Sequence, residues 1–161
     1  MAGSENIAFA RRGAVGALLA GAVAGRLGAQ GREAPRILFV CQYGSVKSAI
    51  ARELLRRRAR ERGIAVRAFS RGITPEAHLP AEIEAKLRAE GIDPGSDGLR
   101  HLLPIDASAA DIVVYFNPLP ANFAAARSLD WTSVPSVVET YPAARADMDR
   151  RIEALLDGLE R

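Results

Sequence analysis

The chain of 161 residues has a single cysteine, two histidines and few aromatic side chains, which make up 6% of its residues. A lone thiol cannot form an internal disulfide, and this shortage of soft ligands argues against a structural zinc site. No apolar run is long enough to cross a membrane as a stable helix. With 48% hydrophobic and 25% charged residues, the remaining composition is that of an ordinary globular domain.

The chain also has little excess charge. The formal net charge is +3, and residues 1–29 supply +2 of it, because Arg11, Arg12 and Arg26 stand there against Glu5. The rest of the chain is therefore nearly neutral. This argues against binding to nucleic acid, which requires a basic surface.

The first thirty residues read as an export signal. Arg11 and Arg12 precede residues 13–25, an uncharged run rich in Ala, Val, Leu and Gly. This order is typical of a bacterial signal peptide, and the paired arginines favour the twin-arginine type. We expect residues 1–34 to be signal peptide and linker, and residues 35–161 to be a periplasmic or exported domain with no stable membrane insertion after cleavage. If the segment is not a signal, the protein is cytoplasmic.

The remaining sequence alternates apolar runs with helical periodicity. This alternation predicts a single three-layer α/β domain, in which a four-stranded parallel sheet is flanked by helices. The predicted strands are residues 36–40, 64–69, 112–116 and one within 131–138. The predicted helices are residues 47–62, about 80–90, 120–127 and a C-terminal helix carrying Met148, Ile152, Leu155 and Leu159.

The first strand ends in a cysteine and leads through a tight loop into a helix. We call residues 41–48 the cysteine loop. Loop amides and a helix N-terminus that converge on one point form an oxyanion site, and the same field favours a thiolate placed for in-line attack. The simpler alternative is an unreactive buried cysteine. The candidate catalytic residues are Cys41, Lys47 and Ser48, and the candidate oxyanion-binding residues are Gln42, Tyr43, Gly44, Ser45, Val46 and Lys47.

These residues resemble a known family. Residues 37–41, followed by five residues, Lys47, Ser48 and a helix, resemble the low-molecular-weight protein tyrosine phosphatases, whose fold is shared by arsenate reductases. Residues 70–72 and 110–114 resemble further family segments. The resemblance implies the Rossmann-like phosphotyrosine phosphatase I fold, no cofactor, and a phosphorylated protein or a small phosphoester or oxyanion as partner.

The resemblance also implies roles for two residues of the cysteine loop. Cys41 would be the nucleophile that forms a cysteinyl-phosphate. Ser48 would hydrogen-bond the sulfur and ease its departure. The implied activity is that of a phosphomonoesterase.

Two positions depart from the family pattern. Lys47 replaces an arginine, so a point charge stands where a planar guanidinium would hold two phosphate oxygens. Val134, before Pro135, replaces the aspartate that protonates the leaving group. Loss of that acid costs about 10²–10⁴ in rate. Asp130 and Glu139 are nearby candidates to replace it.

Three functions follow from this sequence. The first is a phosphatase acting through Cys41, and the second is a catalytically impaired member that binds an oxyanion or a phosphoprotein. The third is arsenate reduction, which would need an external thiol because the chain has no second cysteine. His78 follows the second strand and has two readings, a residue at the site entrance or, more simply, a surface histidine.

Overall fold

The computed structural model describes residues 33–123 and 125–161. The export signal predicted within residues 1–34 lies almost wholly outside the described residues and stays a prediction. Among the described residues, no helix has the length and apolar character needed to cross a membrane.

Four strands build one parallel sheet: β1 (Arg36–Cys41), β2 (Arg67–Gly72), β3 (Ile112–Tyr115) and β4 (Ser128–Asp130). Their order across the sheet is β2-β1-β3-β4. The helices are α1 (Lys47–Arg62), α2 (Ala81–Ala89), α3 (Pro104–Ser108) and α4 (Tyr141–Leu159). The predicted α/β class with a four-stranded parallel sheet is confirmed, although α3 was not among the predicted helices.

The central strand β1 is buried on both faces. Ile37 and Phe39 pack with α1, α2 and α4 on one face of the sheet. Leu38 and Val40 point to the other face and pack with α3. Successive side chains of a strand alternate between faces, so the continuous apolar run requires a cover on both sides. The result is the expected three layers.

The predicted second strand is wrong at its start. It was expected at residues 64–69, whereas β2 begins at Arg67. Gly63 adopts a φ of +68°, and the N–H of Ile64 donates to the carbonyl of Ala59 at 2.8 Å. This arrangement closes the C-terminus of α1. Ile64 therefore belongs to the helix end, and the strand starts three residues later.

The region before the last strand also differs from expectation. Residues 120–127 were predicted as a helix, but those that the structure describes form turns and irregular backbone. The chain enters β4 at Ser128 and leaves it before residues 131–138, where the strand was expected. Trp131 places its ring against Phe116 at 5.7 Å between centroids. The apolar pattern there reflects core packing and not a strand.

A fully buried arginine holds the second turn of α1 to the loop before α3. Arg52 has no exposed surface. Its guanidinium donates to the hydroxyl of Ser70 at 2.6 Å, the carbonyl of Pro94 at 2.8 Å and the hydroxyl of Ser96 at 2.9 Å. It also pairs with the carboxylate of Glu53 at 2.9 Å. A buried charge is tolerated only when it is satisfied in this way.

Replacing Arg52 with methionine removes the guanidinium but keeps most of the side-chain volume. Ser70, Pro94 and Ser96 then lose a buried donor, and we expect the free energy of unfolding to fall by about 3–5 kcal/mol. Urea unfolding followed by circular dichroism measures this change. The matched control is Arg60→Met, at an exposed position of the same helix, which should cost no more than about 0.5 kcal/mol. Equal losses in the two variants would contradict the role given to Arg52.

Candidate active site

The sulfur of Cys41 lies at the carboxyl end of β1 and receives two polar contacts. The Ser48 hydroxyl lies 3.0 Å from Sγ, and the backbone N–H of Gly44 donates to Sγ at 3.2 Å. Cys41 is 4% exposed. The Gly44 N–H is a defined donor to the sulfur, and the Ser48 hydroxyl is placed to donate to a thiolate leaving group.

Helix α1 begins beside this sulfur. Its first residues are Lys47 and Ser48, and the helix is 16 residues long. The first N–H groups of a helix have no partner within the helix, and the helix dipole makes this end positive. The 3.0 Å contact between Ser48 and Cys41 places the positive end next to the sulfur. An anion bound at Cys41 would therefore be stabilised.

The cysteine loop is pressed against the end of β2. Gly44 adopts a φ of +72°, which glycine tolerates best. A Cβ atom on Gly72 would lie 2.7 Å from the carbonyl carbon of Tyr43, and one on Gly44 would lie 2.7 Å from the nitrogen of Gly72. Only two glycines permit this approach of backbone to backbone. The contact sets the path of the loop.

The segment that follows β2 continues along the cysteine loop. The N–H groups of Ile73, Thr74 and Glu76 donate to loop carbonyls at 3.1, 2.8 and 3.1 Å. Their acceptors are the carbonyls of Cys41, Gln42 and Tyr43. These bonds fix residues 73–76 relative to Cys41.

Lys47 contacts the loop that carries Val134. Its ammonium donates to the carbonyl of Val134 at 2.6 Å. Partial burial lowers the pKa of Lys47 below its ordinary value, and the nearby charge of Cys41 partly offsets this effect. The cation is therefore close to the sulfur, yet one of its hydrogen bonds is committed to the neighbouring loop.

No carboxylate lines the candidate site among the described residues. The side chain of Val134 is 2% exposed and packs in the main core. Asp130 accepts hydrogen bonds from Thr132 and Tyr115, which hold the pKa of Asp130 below its ordinary value. Glu139 is exposed and does not line the cleft. Neither Asp130 nor Glu139 is among the residues that line the cleft.

Cys41 opens into a cleft of about 210 Å³. Its walls are Cys41, Gln42, Tyr43, Val46, Lys47, His78, Asn117, Ser136, Val137 and Val138. The structure thus brings five of the sequence-predicted site residues to the cleft. Ser48 lies behind the sulfur, Gly44 contacts Gly72, and Ser45 lines a neighbouring cavity of about 270 Å³.

Two polar residues that line the cleft, Asn117 and Ser136, were not identified in the sequence analysis. Asn117 follows β3, and its side-chain carbonyl accepts the N–H of Gln42 at 2.9 Å. Because β1 and β3 are adjacent and parallel, the residue after β3 falls beside the cysteine loop, and this topology was the available signal. His78, for which the sequence offered a place at the site entrance or a surface role, is exposed and also lines the cleft.

No cluster of three or more His, Cys, Asp or Glu side chains suited to a metal ion is present in the part of the chain that the structure describes. The polar groups at the cleft are amide, hydroxyl, ammonium, imidazole and thiol. This set suits an oxyanion better than a cation.

In this fold, the central strand of a parallel sheet ends at a cysteine, and a tight loop leads from the cysteine to the N-terminus of a helix. This arrangement defines a class of cysteine-dependent oxyanion sites. The model of the low molecular weight phosphotyrosine protein phosphatase family matches residues 36–129, more than half of the chain. The chain belongs to this family. No curated protein sequence matches it significantly.

Solved structures support the same fold. YfkJ from Bacillus subtilis is 18% identical over 82% of this chain and 98% of its own, with a TM-score of 0.67. A low molecular weight protein tyrosine phosphatase from T. tengcongensis is 19% identical over 78% and 99%, with a TM-score of 0.62. A thioredoxin-dependent arsenate reductase from Corynebacterium glutamicum is 22% identical over 79% and 62%, with a TM-score of 0.60. At these identities the likeness establishes the fold.

The close contact between Gly72 and the Tyr43 backbone allows a test of whether the cysteine loop binds anions. In Gly72→Ala the new methyl group collides with the Tyr43 backbone, so we expect affinity for phosphate and vanadate to fall at least tenfold, about 1.4 kcal/mol. The affinity for each anion is measured from the concentration at which that anion protects Cys41 from iodoacetamide. Gly158→Ala is the matched control, because its Cβ would meet nothing within 4 Å. Unchanged protection in Gly72→Ala would remove the loop as the anion site.

Proposed function

We propose that this protein is a phosphomonoesterase that acts through a cysteinyl-phosphate at Cys41. The observation that carries the proposal is the environment of the sulfur, which receives the Ser48 hydroxyl and the Gly44 amide at the end of a helix. Cys41 also faces a cleft large enough for a phosphoryl group and part of its ester. The substrate class is a phosphorylated protein or a small phosphoester.

The reaction proceeds in two displacements. The Cys41 thiolate attacks phosphorus, the S–P bond forms, and the bond to the ester oxygen breaks. Water then attacks the cysteinyl-phosphate, and the thiolate leaves as inorganic phosphate is released. Ser48 stabilises the departing thiolate through its 3.0 Å contact with Sγ. Loop amides and the α1 terminus hold the equatorial oxygens, whose charge grows in the transition state.

Lys47 supplies the side-chain cation of this site. It is on the first turn of α1 and shares the cleft with Cys41. An ammonium holds phosphate as a point charge and does not form the two parallel bonds of a guanidinium. The hydrogen bond from the Lys47 ammonium to the Val134 carbonyl uses one of its N–H donors, so fewer remain for the phosphoryl group. The proposed phosphatase therefore binds the phosphoryl group less tightly than an arginine-bearing site.

One observation favours a second candidate, an impaired member that binds an oxyanion or a phosphoprotein without turnover. The position expected to hold the acid is Val134, whose side chain is buried in the core. A site with thiolate, amides and a cation but no proton donor would bind phosphate and hydrolyse alkyl esters poorly. Arsenate reduction ranks below both, because Cys41 is the only thiol and an external one would have to resolve the intermediate.

The phosphoenzyme separates these candidates. Wild-type protein is mixed with para-nitrophenyl phosphate and quenched rapidly, and mass spectrometry locates a phosphoryl group on the Cys41 peptide. We expect this adduct and continuing release of phosphate. In Cys41→Ser, we expect turnover to fall by at least about 10³, since the hydroxyl is a far weaker nucleophile at neutral pH. Phosphate-protected Cys41 without adduct or turnover in the wild type would favour the binding protein.

The variant Lys47→Arg tests whether the side chain at position 47 binds the phosphoryl group. The guanidinium adds one or two charge-assisted hydrogen bonds to the phosphoryl group, each worth about 1.5–3 kcal/mol. We expect kcat/KM for para-nitrophenyl phosphate to rise about tenfold or more, and phosphate to inhibit more strongly. The control is Lys86→Arg, the other lysine of the chain, which is exposed on α2. An unchanged or weaker phosphate inhibition in Lys47→Arg would place Lys47 outside the phosphoryl site.

A further inference from the structure

His78 is held at the cleft by two contacts with the cysteine loop. Its backbone N–H donates to the hydroxyl of Ser45 at 3.0 Å. Its ring stacks on that of Tyr43, with 3.8 Å between centroids and 22° between planes. Ser45 and Tyr43 both belong to the cysteine loop. The backbone bonds of residues 73–76 to that loop complete the attachment, so His78 keeps a fixed relation to Cys41.

The two ring nitrogens of His78 have different surroundings. Nε2 lies 3.1 Å from a carboxylate oxygen of Glu76. A carboxylate at this distance can accept the hydrogen on Nε2. Nδ1 is the ring nitrogen that does not contact Glu76. The side chain of His78 is 43% exposed, so a ligand reaches the ring without rearrangement of the core.

The other proton-bearing groups near the cleft either have another role or are poorly suited to proton transfer. Cys41 is the nucleophile of the proposed reaction, and Lys47 donates to the carbonyl of Val134. The phenol of Tyr43 belongs to a class of acid far weaker than an imidazolium. Glu76 faces the imidazole of His78 and has no place in the lining of the cleft. Imidazole is the side chain that ordinarily exchanges protons near neutral pH.

We propose that His78 is the general acid and base of this site, in place of the carboxylic acid that Val134 does not provide. The proposal rests on the phosphomonoesterase function above and adds a catalytic residue to it. It explains how a cleft with no carboxylate in its described lining protonates a leaving group.

The proton balance closes over the two displacements. In the first, the S–P bond of Cys41 forms, the P–O ester bond breaks, and the ester oxygen takes the proton from Nδ1 of His78 to leave as an alcohol. His78 is then neutral. In the second, His78 removes a proton from water, whose oxygen attacks phosphorus as the S–P bond breaks. Inorganic phosphate departs, Cys41 returns as thiolate and His78 returns as imidazolium.

Substrates whose leaving groups differ in their need for protonation test this proposal. His78→Phe keeps an aromatic ring to stack on Tyr43 but carries no proton, and His78→Gln keeps polarity without acid–base chemistry. For phenyl phosphate and phosphotyrosine, whose leaving groups need protonation, we expect kcat/KM to fall about 10²-fold or more in both variants. For para-nitrophenyl phosphate, whose leaving group is stable as an anion, we expect a fall of less than about tenfold.

The second displacement gives an independent readout. Without a base to activate water, both variants should show a burst of para-nitrophenol followed by slow turnover, and phosphorylated Cys41 should accumulate. A role in structure alone does not produce this accumulation. The matched control is His101→Gln, since His101 is exposed, its ring contacts the carbonyl of Leu102, and it is not among the residues that line the cleft. Melting temperatures of all variants monitor folding.

The outcomes are distinct. Selective loss with the poor leaving groups, together with a burst, supports His78 as acid and base. Equal loss with all three substrates, or no loss, in variants that melt like the wild type overturns the assignment while leaving the phosphatase in place. If the wild type forms no phosphocysteine and hydrolyses none of the substrates, the proposed function fails and the role of His78 fails with it.

Discussion

The backbone contact between Gly72 and residues 43–44 is the constraint on which the site depends. The β1–β2 register sets Cys41 opposite Gly72, so the strand end and the loop meet where no side chain fits between them. The chain after Gly72 must then run along the cysteine loop, to which it is bonded through residues 73–76. This close approach thus sets the path of the cysteine loop and brings His78 to the edge of the cleft.

Helix α1 connects this cradle to the interior. Its first turn carries Lys47 and Ser48 beside the sulfur, while Arg52, one turn further, lies fully buried and bonds to Ser70 and the segment around Pro94. The dipole and the amides of a helix N-terminus act only if the helix is held in position. The buried guanidinium is therefore part of what holds the first turn of α1 in position beside Cys41.

The charges at the cleft differ from those expected of a family member with an arginine and an aspartate. Lys47 shares its donors with the carbonyl of Val134, which ties the Val134 loop to the cysteine loop. The cleft itself is lined by a thiol, amides, a phenol and an imidazole. In the proposed phosphatase, an anion would be bound chiefly by backbone dipoles and one point charge. The proposed reaction would then need a proton-transfer group that the loop 131–138 does not carry.

The sequence by itself determined the parallel α/β fold, because unbroken apolar strands alternate with amphipathic helices, and it determined the cysteine loop, because Cys41 to Ser48 are contiguous. The sequence pattern predicted the wrong secondary structure where helix capping or core packing determined the conformation. Ile64 completes the end of α1, and Trp131 fills the core instead of continuing a strand. Only the tertiary structure decided that Asn117 and His78 line the cleft, since each arrives from a different β-strand end. The spacing of residues along a chain does not record which strand ends become neighbours; sheet order and register do.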